Sequence, residues 1–316
     1  MMKILVTGAA GFIGSHLAET LAQAGHDITG IDSFTDYYDV AQKRHNAESV
    51  MAAGCHLIEA DLVTDNLAEA VDGVDVVYHT AAQPGISDKV PFSTYIRNNI
   101  EATHRLLESL KKSPSLRLFV NVSTSSVYGY KATEPETSAP EPVSYYGVTK
   151  LAAEQLALAY HREKGFPACS LRLFSVYGER ERPDKLYPKL IRSILRGESL
   201  PVFEGSLRHS RSFTYVGDVI RAMNKVLDQP DICIGEIFNI GSDIEITTGA
   251  TIEIVEAIMG QKASFNMLPP RLGDQTQTRA NIGKARQVLK FEPETTFEDG
   301  IRNEIEWLTA LEQIRA

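Results

Sequence analysis

A tyrosine and a lysine stand four residues apart in the segment SYYGVTK, which covers residues 144–150. Residues at this spacing share one face of a helix, so Tyr146 lies over Lys150, whereas Tyr145 is rotated by roughly 100°. An ammonium group beside a phenol favours the phenolate, which is a general base that can take a proton from an alcohol. The spacing therefore predicts proton-transfer chemistry at Tyr146, the alternative being a tyrosine that merely packs on a lysine stem.

The flanking sequence indicates which element presents this pair. The prolines of EPETSAPEP disfavour a helix before Val143, whereas apolar residues recur at helical intervals from there to Gly165. We therefore expect a helix whose first turn carries Tyr146.

The start of the chain reads as a strand, a glycine-rich turn, a helix and a second strand. Gly8, Gly11 and Gly14 form a G-x-x-G-x-x-G pattern, in which backbone amides can approach a pyrophosphate at the helix N-terminus. Asp32 closes the second strand eighteen residues beyond Gly14. A carboxylate there accepts ribose hydroxyls and repels a 2′-phosphate, which predicts NAD over NADP. The alternative is that Asp32 only caps the following helix.

Further strand-like runs follow at a spacing typical of alternating strands and helices: CHLIEAD, DVVYHTAA, LRLFVNVSTSS and ACSLRLFSVYG. This alternation predicts an α/β fold with a Rossmann-type, doubly wound parallel sheet. Ligands gather at the carboxyl ends of such strands. Those ends carry Asp61 and Leu62, then Ala81 and Ala82, then residues 123–126.

The 316 residues are 43% hydrophobic and 23% charged, and the formal net charge is −9. An acidic surface repels nucleic acid, and an anionic small ligand would need arginines at its site. Three cysteines far apart in sequence indicate reduced thiols, and the eight histidines lack the spacing of metal ligands. Because no apolar run is long enough for a signal sequence or a membrane span, we expect a cytoplasmic protein without metal, membrane or nucleic-acid partners.

Taken together, the motifs resemble the extended short-chain dehydrogenase/reductase family, in particular its nucleotide-sugar epimerases. They cover nearly all of the chain: TGAAGFIGSHL, DL at 61–62, HTAAQ, NNIEAT, STSSVYG, YYGVTK, LRLFSVYG, RSFTYVGDV and NIGS. The resemblance implies that Tyr146 is the base, Lys150 its activator and Thr124 the hydrogen-bond partner of the reacting oxygen. The residues that it implies for NAD binding are Gly8, Gly11, Phe12, Ile13, Gly14, Asp32, Asp61, Leu62, Ala81, Ala82, Asn99, Tyr146 and Lys150.

The resemblance also implies a reaction. In these epimerases a tyrosinate takes the sugar proton, hydride passes to the nicotinamide, and a 4-keto sugar turns over before hydride returns to its other face. We expect Lys150 and the cofactor's positive ring to lower the pKa of Tyr146. Dehydratases and decarboxylases of the group carry an acid shortly after the catalytic threonine, where this chain has Ser125 and Ser126. Because these two serines carry no carboxyl group that could transfer a proton, the resemblance favours a redox-only cycle over elimination or loss of CO₂.

The sugar is indicated by the segment ERERPDK, which resembles the uronate epimerases in placing Arg182 in an R-P-D motif. A guanidinium can hold a carboxylate bidentately and restrain a β-keto acid from decarboxylation. The resemblance therefore implies interconversion of UDP-glucuronate and UDP-galacturonate. The alternative for Arg182 is a surface ion pair with Glu179 or Glu181.

Three departures keep other substrates open. Ser87 stands where related uronate epimerases often have an arginine, and Ser175 replaces the asparagine common in hexose epimerases. Thr278 stands where some hexose epimerases have a bulky gate, so a larger C2 substituent fits the pattern. A UDP-glucose or UDP-N-acetylglucosamine 4-epimerase is thus the alternative, and a UDP-glucuronate decarboxylase is a less favoured one. A non-catalytic NAD-sensing protein ranks last, since such proteins usually lose the tyrosine or lysine.

The nucleotide part of the substrate has its own predicted residues. Arg211 and Arg271 align with the phosphate-binding arginines of the family, and Phe203 is placed near the nucleobase. The predicted substrate residues are Ser125, Ser126, Ser175, Arg182, Phe203, Arg211 and Arg271.

The sequence also predicts the division of the chain. We expect an NAD-binding Rossmann domain over residues 1–176, with return segments near 213–243, and a smaller nucleotide-sugar-binding lobe of mixed α/β structure over 177–316. The resemblance implies a homodimer, formed by helices at about 94–112 and 145–164 packed as a four-helix bundle.

Overall fold

The structure is a computed structural model that describes residues 1–87, 89–270 and 276–315. Its strands are β1 Lys3–Thr7, β2 Asp27–Asp32, β3 His56–Glu59, β4 Val76–His79, β5 Leu118–Thr124, β6 Lys131–Ala132, β7 Ala168–Leu173, β8 Val176–Tyr177, β9 Ser199–Phe203, β10 Ser210–Arg211, β11 Thr214–Tyr215, β12 Ile237–Ile240, β13 Ile246–Thr247, β14 Ser264–Leu268 and β15 Gln277–Thr278. Its α-helices are α1 Phe12–Gln23, α2 Val40–Ala52, α3 Ala68–Val71, α4 Phe92–Tyr95, α5 Ala102–Leu110, α6 Tyr145–Lys164, α7 Leu186–Arg196, α8 Val216–Asp228, α9 Pro230–Cys233, α10 Thr248–Met259, α11 Gly283–Leu289 and α12 Phe297–Arg315.

Seven strands form a parallel sheet in the order β12-β7-β5-β4-β1-β2-β3. The chain runs outward from β1 to β2 and β3, and then crosses to β4 on the other side of β1. Strand order therefore reverses between β1 and β4, which opens a crevice at their carboxyl ends. The predicted Rossmann-type doubly wound sheet is confirmed.

Residues of β1 alternate between the two faces of this sheet, as strand geometry requires. Ile4 and Val6 belong to one buried cluster with Leu17 of α1, whereas Leu5 belongs to a second cluster with Leu106 of α5. Helices thus cover both faces, which explains why the strands read as continuous apolar runs.

Helix α6 has the limits that the sequence predicts. The side chain of Ser144 accepts a hydrogen bond from the backbone N–H of Gly147 at 3.1 Å, and Gly165 ends the helix in the left-handed conformation at φ 67°. The predicted helix at about 94–112 begins earlier, as α4, continues through a π-helical segment at Ile96–Glu101 and ends with α5. No helix in the described ranges has the length and apolar character that crossing a membrane requires.

The smaller lobe has a separate apolar core built from α7, α10 and α12 with β9. Aromatic rings fill its centre, with 5.0 Å between the ring centroids of Tyr177 and Phe297. The chain returns to the large sheet where β12 pairs in parallel with β7.

One segment of the smaller lobe is placed differently from the sequence prediction. Ala285 and Leu289 of α11, together with Phe291, lie in the same buried cluster as Phe238 of β12. The apolar face of α11 is buried against the edge of the large sheet, so residues 280–291 pack with the Rossmann domain and not with the smaller lobe.

Candidate active site

A cavity of about 1210 Å³ lies at the carboxyl ends of the parallel strands and extends to the smaller lobe. Nearly all predicted site residues line it: Gly8, Gly11, Phe12, Ile13, Gly14, Asp32, Asp61, Leu62, Ala81, Ala82, Thr124, Ser125, Ser126, Tyr146, Lys150, Ser175, Arg182, Phe203 and Arg211. Arg271 lies outside the described residues. The fold therefore gathers into one cleft residues that are up to two hundred positions apart.

The glycine-rich turn brings the start of α1 against the crevice. Gly8 has φ 72°, and its backbone N–H donates to the carbonyl of Ile31 at 2.7 Å. A Cβ on Gly14 would lie 2.1 Å from the carbonyl oxygen of Gly8, so a side chain there would force the turn apart. Among the residues that the structure describes, no side chain caps the first turn of α1. Its N–H groups and helix dipole are thus available to an anion such as a pyrophosphate.

Asp32 is held in place beside this turn. One carboxylate oxygen accepts the N–H of Ala10 at 3.0 Å, and the other accepts the N–H of Phe34 at 2.8 Å. Each oxygen keeps a lone pair for a further donor, since a carboxylate has about four acceptor sites. Together with the tight glycine turn, this geometry fits the ribose and diphosphate of NAD.

Asp61 lines the cleft and also forms contacts of its own. Its carboxylate pairs with Arg97 at 2.7 Å and accepts the N–H of Val63 at 2.8 Å. Burial raises the pKa of Asp61, but the hydrogen bonds from Arg97 and Val63 outweigh burial, so the pKa is lower than usual. The group is an anionic acceptor at neutral pH.

Asn99 and Thr278 are not among the described residues that line the cleft. The side chain of Asn99 is buried and holds the backbone of Gln83, with bonds of 2.7 Å to its N–H and 3.3 Å to its carbonyl, and it donates to Thr149 at 3.0 Å. Asn99 therefore supports the cleft wall, and its contact with NAD stays a prediction. Thr278, which stands in place of a bulky gate, is fully buried on β15.

Thr124 and Tyr146 meet at the carboxyl end of β5. The Thr124 hydroxyl is hydrogen-bonded to the Tyr146 phenol, accepts the N–H of Ser126 at 3.2 Å and lies 3.3 Å from the Ser126 hydroxyl. Tyr146 and Lys150 both line the cleft from the first turns of α6, whereas Tyr145 is 57% exposed. The structure brings together the three predicted catalytic groups.

Burial dominates the electrostatics of this group. Burial raises the pKa of Tyr146, while the hydrogen bond from Thr124 and the positive charge of Arg182 lower it in part. The lowering that we expect from Lys150 and the cofactor's positive ring stays a prediction. Burial also lowers the pKa of Lys150 to about 8, and the Glu154 carboxylate opposes that shift. Burial thus weakens both charged forms before any ligand is present.

Glu154 lies one helical turn after Lys150 and is fully buried. Its two oxygens pair with Arg172 at 2.6 and 3.0 Å, and Arg172 also donates to the Tyr128 hydroxyl at 2.8 Å. Such a bidentate pair satisfies both charges away from water. The pair gives α6 a fixed anchor on β7 directly behind Lys150.

Arg182 enters the cleft from the loop between β8 and α7. Its Nη2 lies 3.2 Å from Asp184, and its guanidinium lies 5.3 Å from the centre of the Tyr37 ring. Its Nη1 is buried and has no hydrogen-bond partner among the described residues. The described ion pair of Arg182 is with Asp184, not with Glu179 or Glu181. A buried donor of this kind calls for an acceptor, which an anionic ligand in the cleft would supply.

Several cleft residues had no predicted role, among them Tyr37, Gly85 and Glu181. Gly85 has φ 80°, and a Cβ there would lie 3.0 Å from Nη2 of Arg182 and 3.2 Å from the Tyr37 hydroxyl. Glu181 and Glu304 of α12 are both buried, and each has a carboxyl oxygen without a hydrogen-bond partner among the described residues. Burial raises the pKa of Glu181 to about 7. The Q-P-G sequence signals the turn at Gly85, but the other two positions depend on contacts between distant elements.

The chain is similar to proteins of known family and to solved structures. Residues 4–241 match the NAD dependent epimerase/dehydratase family. A Bacillus subtilis (strain 168) protein named "Uncharacterized UDP-glucose epimerase YtcB" is 40% identical over 317 residues, which cover 99% of each chain. UDP-glucuronate 4-epimerase 2 of Arabidopsis thaliana is 32% identical over 97% of this chain and 75% of its own length. The solved structure of UDP-glucuronic acid 4-epimerase from Bacillus cereus, in complex with UDP-glucuronic acid and NAD, is 38% identical, has a TM-score of 0.93, and matches over 98% of this chain and 100% of that chain.

Proposed function

Since this chain belongs to the NAD-dependent epimerase/dehydratase family, we propose that it is an NAD-retaining 4-epimerase that interconverts UDP-glucuronate and UDP-galacturonate. The observation that supports a uronate as the substrate is the position of Arg182, whose Nη1 is buried in the cleft without a partner among the described residues. The Bacillus cereus relative, whose solved structure contains UDP-glucuronic acid and NAD, supports the same substrate class.

In the proposed reaction Tyr146 takes the proton of the sugar's 4-hydroxyl and later returns it. The Thr124 hydroxyl, which is hydrogen-bonded to the Tyr146 phenol, orients the reacting oxygen. NAD, when bound, supplies the acceptor for the C4 hydride and gives the hydride back to the opposite face of the 4-keto sugar. The glycine turn and Asp32 hold the cofactor, and Lys150 supplies positive charge beneath the base.

The residues after Thr124 favour epimerisation over loss of CO₂. Ser125 and Ser126 line the cleft where an acidic residue would be needed for proton transfer to carbon. A carboxylate held by Arg182 is also restrained from the alignment that decarboxylation requires. Phe203, Arg211 and Arg271 are proposed to hold the uridine diphosphate, with Ser175 beside the sugar.

One observation favours a neutral sugar as the second candidate. Ser87 lines the cleft at the place where uronate epimerases often have an arginine, and its hydroxyl accepts the N–H of Lys89 at 3.2 Å. The Bacillus subtilis relative is named a UDP-glucose epimerase. UDP-glucose is therefore the comparison substrate for recognition of the uronate.

We propose that the protein is a homodimer. Tyr145 and Val148 are 57% and 43% exposed on α6, and the Tyr145 ring packs at 4.6 Å from Phe92 of α4, which is itself 41% exposed. An apolar strip of this kind on a helix pair suits a four-helix bundle with a second copy of this chain.

Two further assignments belong to the proposal. Residues 1–176 with 213–243 and 280–291 form the NAD-binding part, and the remaining residues from 177 onward form the sugar-nucleotide lobe. Cys55, Cys169 and Cys233 are buried free thiols, which suits a reducing compartment, and we place the protein in the cytoplasm.

The experiment is to incubate the purified protein with UDP-glucuronate, add no cofactor, and follow the sugar anomeric protons by NMR. Growth of UDP-galacturonate without NADH or CO₂ supports the proposal. Formation of UDP-xylose would contradict it in favour of the decarboxylase, and conversion of UDP-glucose alone would contradict the assignment of the uronate.

A further inference from the structure

The loop that carries Arg182 connects β8 to α7 and holds a strained residue. Arg180 has φ 66°, a left-handed conformation that is unfavourable for any residue with a Cβ. Such a conformation persists where surrounding contacts impose it. The contacts that hold Arg180 come from the NAD-binding domain, not from the lobe that the loop enters.

A bidentate ion pair fixes the side chain of Arg180. Its Nη1 and Nη2 donate to the two carboxylate oxygens of Glu19 on α1, at 2.8 and 3.1 Å. The side chains of Arg180 and Glu19 are only 13% and 17% exposed, so solvent screens the pair weakly.

Two more side chains hold the backbone of the same loop. The buried amide of Gln42 on α2 donates to the carbonyls of Arg180 and Glu181, at 3.2 Å each. His16 on α1 donates through Nε2 to the carbonyl of Glu179 at 2.9 Å. Burial lowers the pKa of His16, so this bond is made by the neutral ring. The loop is therefore fastened to the NAD-binding domain along three consecutive residues directly before Arg182.

The fastening elements are those that form the cofactor cleft. Helix α1, which carries His16 and Glu19, begins at the glycine-rich turn, and α2 follows the strand that ends at Asp32. From this arrangement we infer that Arg180 and Gln42 are positioning residues: they form an interdomain latch that holds the Arg182 guanidinium in the cleft, where it can bind the sugar carboxylate. This inference rests on the proposed function, because it assigns the latch to recognition of the uronate.

The test compares Arg180→Ala and Gln42→Leu with a matched control. Arg192 forms an ion pair with Glu312 inside the smaller lobe, with similar exposures of 14% and 18%, and it does not line the cleft. For UDP-glucuronate we expect KM to rise about tenfold in both latch variants, the effect of roughly one misplaced charge-assisted hydrogen bond. In both latch variants we expect kcat, the amount of bound NAD and the KM for UDP-glucose to stay within about twofold of the values of the unaltered protein. For Arg192→Ala we expect all of these quantities, and the KM for UDP-glucuronate, to stay within the same limits.

A charge swap separates the latch from general damage to the fold. Glu19→Arg combined with Arg180→Glu restores an ion pair of opposite polarity. We expect the double variant to reverse most of the rise in KM for UDP-glucuronate that either single change causes. Equal increases of KM for UDP-glucuronate and UDP-glucose, or an unchanged KM for UDP-glucuronate in Arg180→Ala, would overturn the latch.

Failure of the proposed function gives a different result. In that case the unaltered protein itself does not turn over UDP-glucuronate. Calorimetry then tests the latch separately: a Kd for UDP-glucuronate that is the same for the unaltered protein and for Arg180→Ala would overturn the latch as well, whereas a selective rise in that Kd would support it.

Discussion

The Arg182 guanidinium lies 5.3 Å from the centre of the Tyr37 ring, so an arginine from the smaller lobe rests on an aromatic ring of the NAD-binding domain. Gly85 makes room for this contact, because a Cβ there would lie 3.0 Å from Nη2 of Arg182. The cation–π contact and the ion pair with Asp184 hold the guanidinium, while its Nη1 stays without a partner among the described residues. One edge of Arg182 is thereby preorganised for an anionic group of the substrate.

Arg182→Ala should weaken recognition of the uronate selectively. Loss of a charge-assisted, bidentate interaction corresponds to a KM for UDP-glucuronate about 10- to 100-fold higher, whereas the KM for UDP-glucose should change little. Steady-state kinetics on both substrates measures the two KM values. Arg182→Lys should be intermediate, because lysine keeps the positive charge but lacks the paired N–H donors of the guanidinium. Equal effects on both substrates would remove the ground for a uronate.

Tyr146→Phe should abolish turnover and leave bound NAD unchanged, because it removes the proton acceptor and keeps the ring. The expected loss in kcat is at least about 100-fold, the usual scale for a general base. Tyr145→Phe is the matched control, since Tyr145 is 57% exposed on the other side of the helix. If the two variants lose activity equally, Tyr146 is not the base.

How far the sequence predicts the molecule depends on the range of the contacts involved. The limits of α6 follow from Ser144 and Gly165, which act within one helical turn, and both were correctly inferred. The strand order follows from the alternation of strands and helices, which restricts the topology to a few arrangements. Local signals were sufficient for both features.

The contacts that the sequence did not reveal are long-range. The Asn99 side chain holds the backbone of Gln83, a partner that no spacing reveals. Tyr37 meets Arg182 only because the loop after β2 folds onto the loop after β8. The same applies to Glu181 and Glu304, which come from a cleft loop and the last helix.

The Glu181–Glu304 pair should make stability depend on pH. Burial raises the pKa of Glu181 to about 7 and raises that of Glu304 well above its usual value, so the folded protein binds more protons than the unfolded chain between about pH 4.5 and 7. The free energy of unfolding should therefore fall as pH rises through this window.

Glu181→Gln tests this dependence, because an amide keeps the shape of the protonated carboxyl and cannot ionise. It should flatten the slope and raise the free energy of unfolding at pH 8 by about 1–2 kcal/mol, as measured by urea unfolding between pH 5 and 8. Glu253→Gln, on the exposed side of α10, is the control and should leave the slope unchanged. A slope in Glu181→Gln that matches the unaltered protein would contradict the account.

The proposed dimer predicts the effect of one surface change. Val148→Glu places a charge in the apolar strip of α6 and should weaken the dimer about 100-fold, because the interface would bury an unpaired carboxylate. Sedimentation equilibrium measures the mass. Ile232→Glu is the control, since Ile232 is similarly exposed, at 47%, but lies on α9. A monomeric unaltered protein, or equal effects of both changes, would rule out this interface.

In the proposed reaction the hydrogen removed from C4 of a UDP-hexuronate returns to the same carbon within the cleft. The most direct measurement uses UDP-glucuronate labelled with deuterium at C4, without added cofactor, and follows the product by NMR. We expect UDP-galacturonate that retains deuterium at C4. Loss of the label to solvent, or a product that has lost its carboxylate, would contradict it.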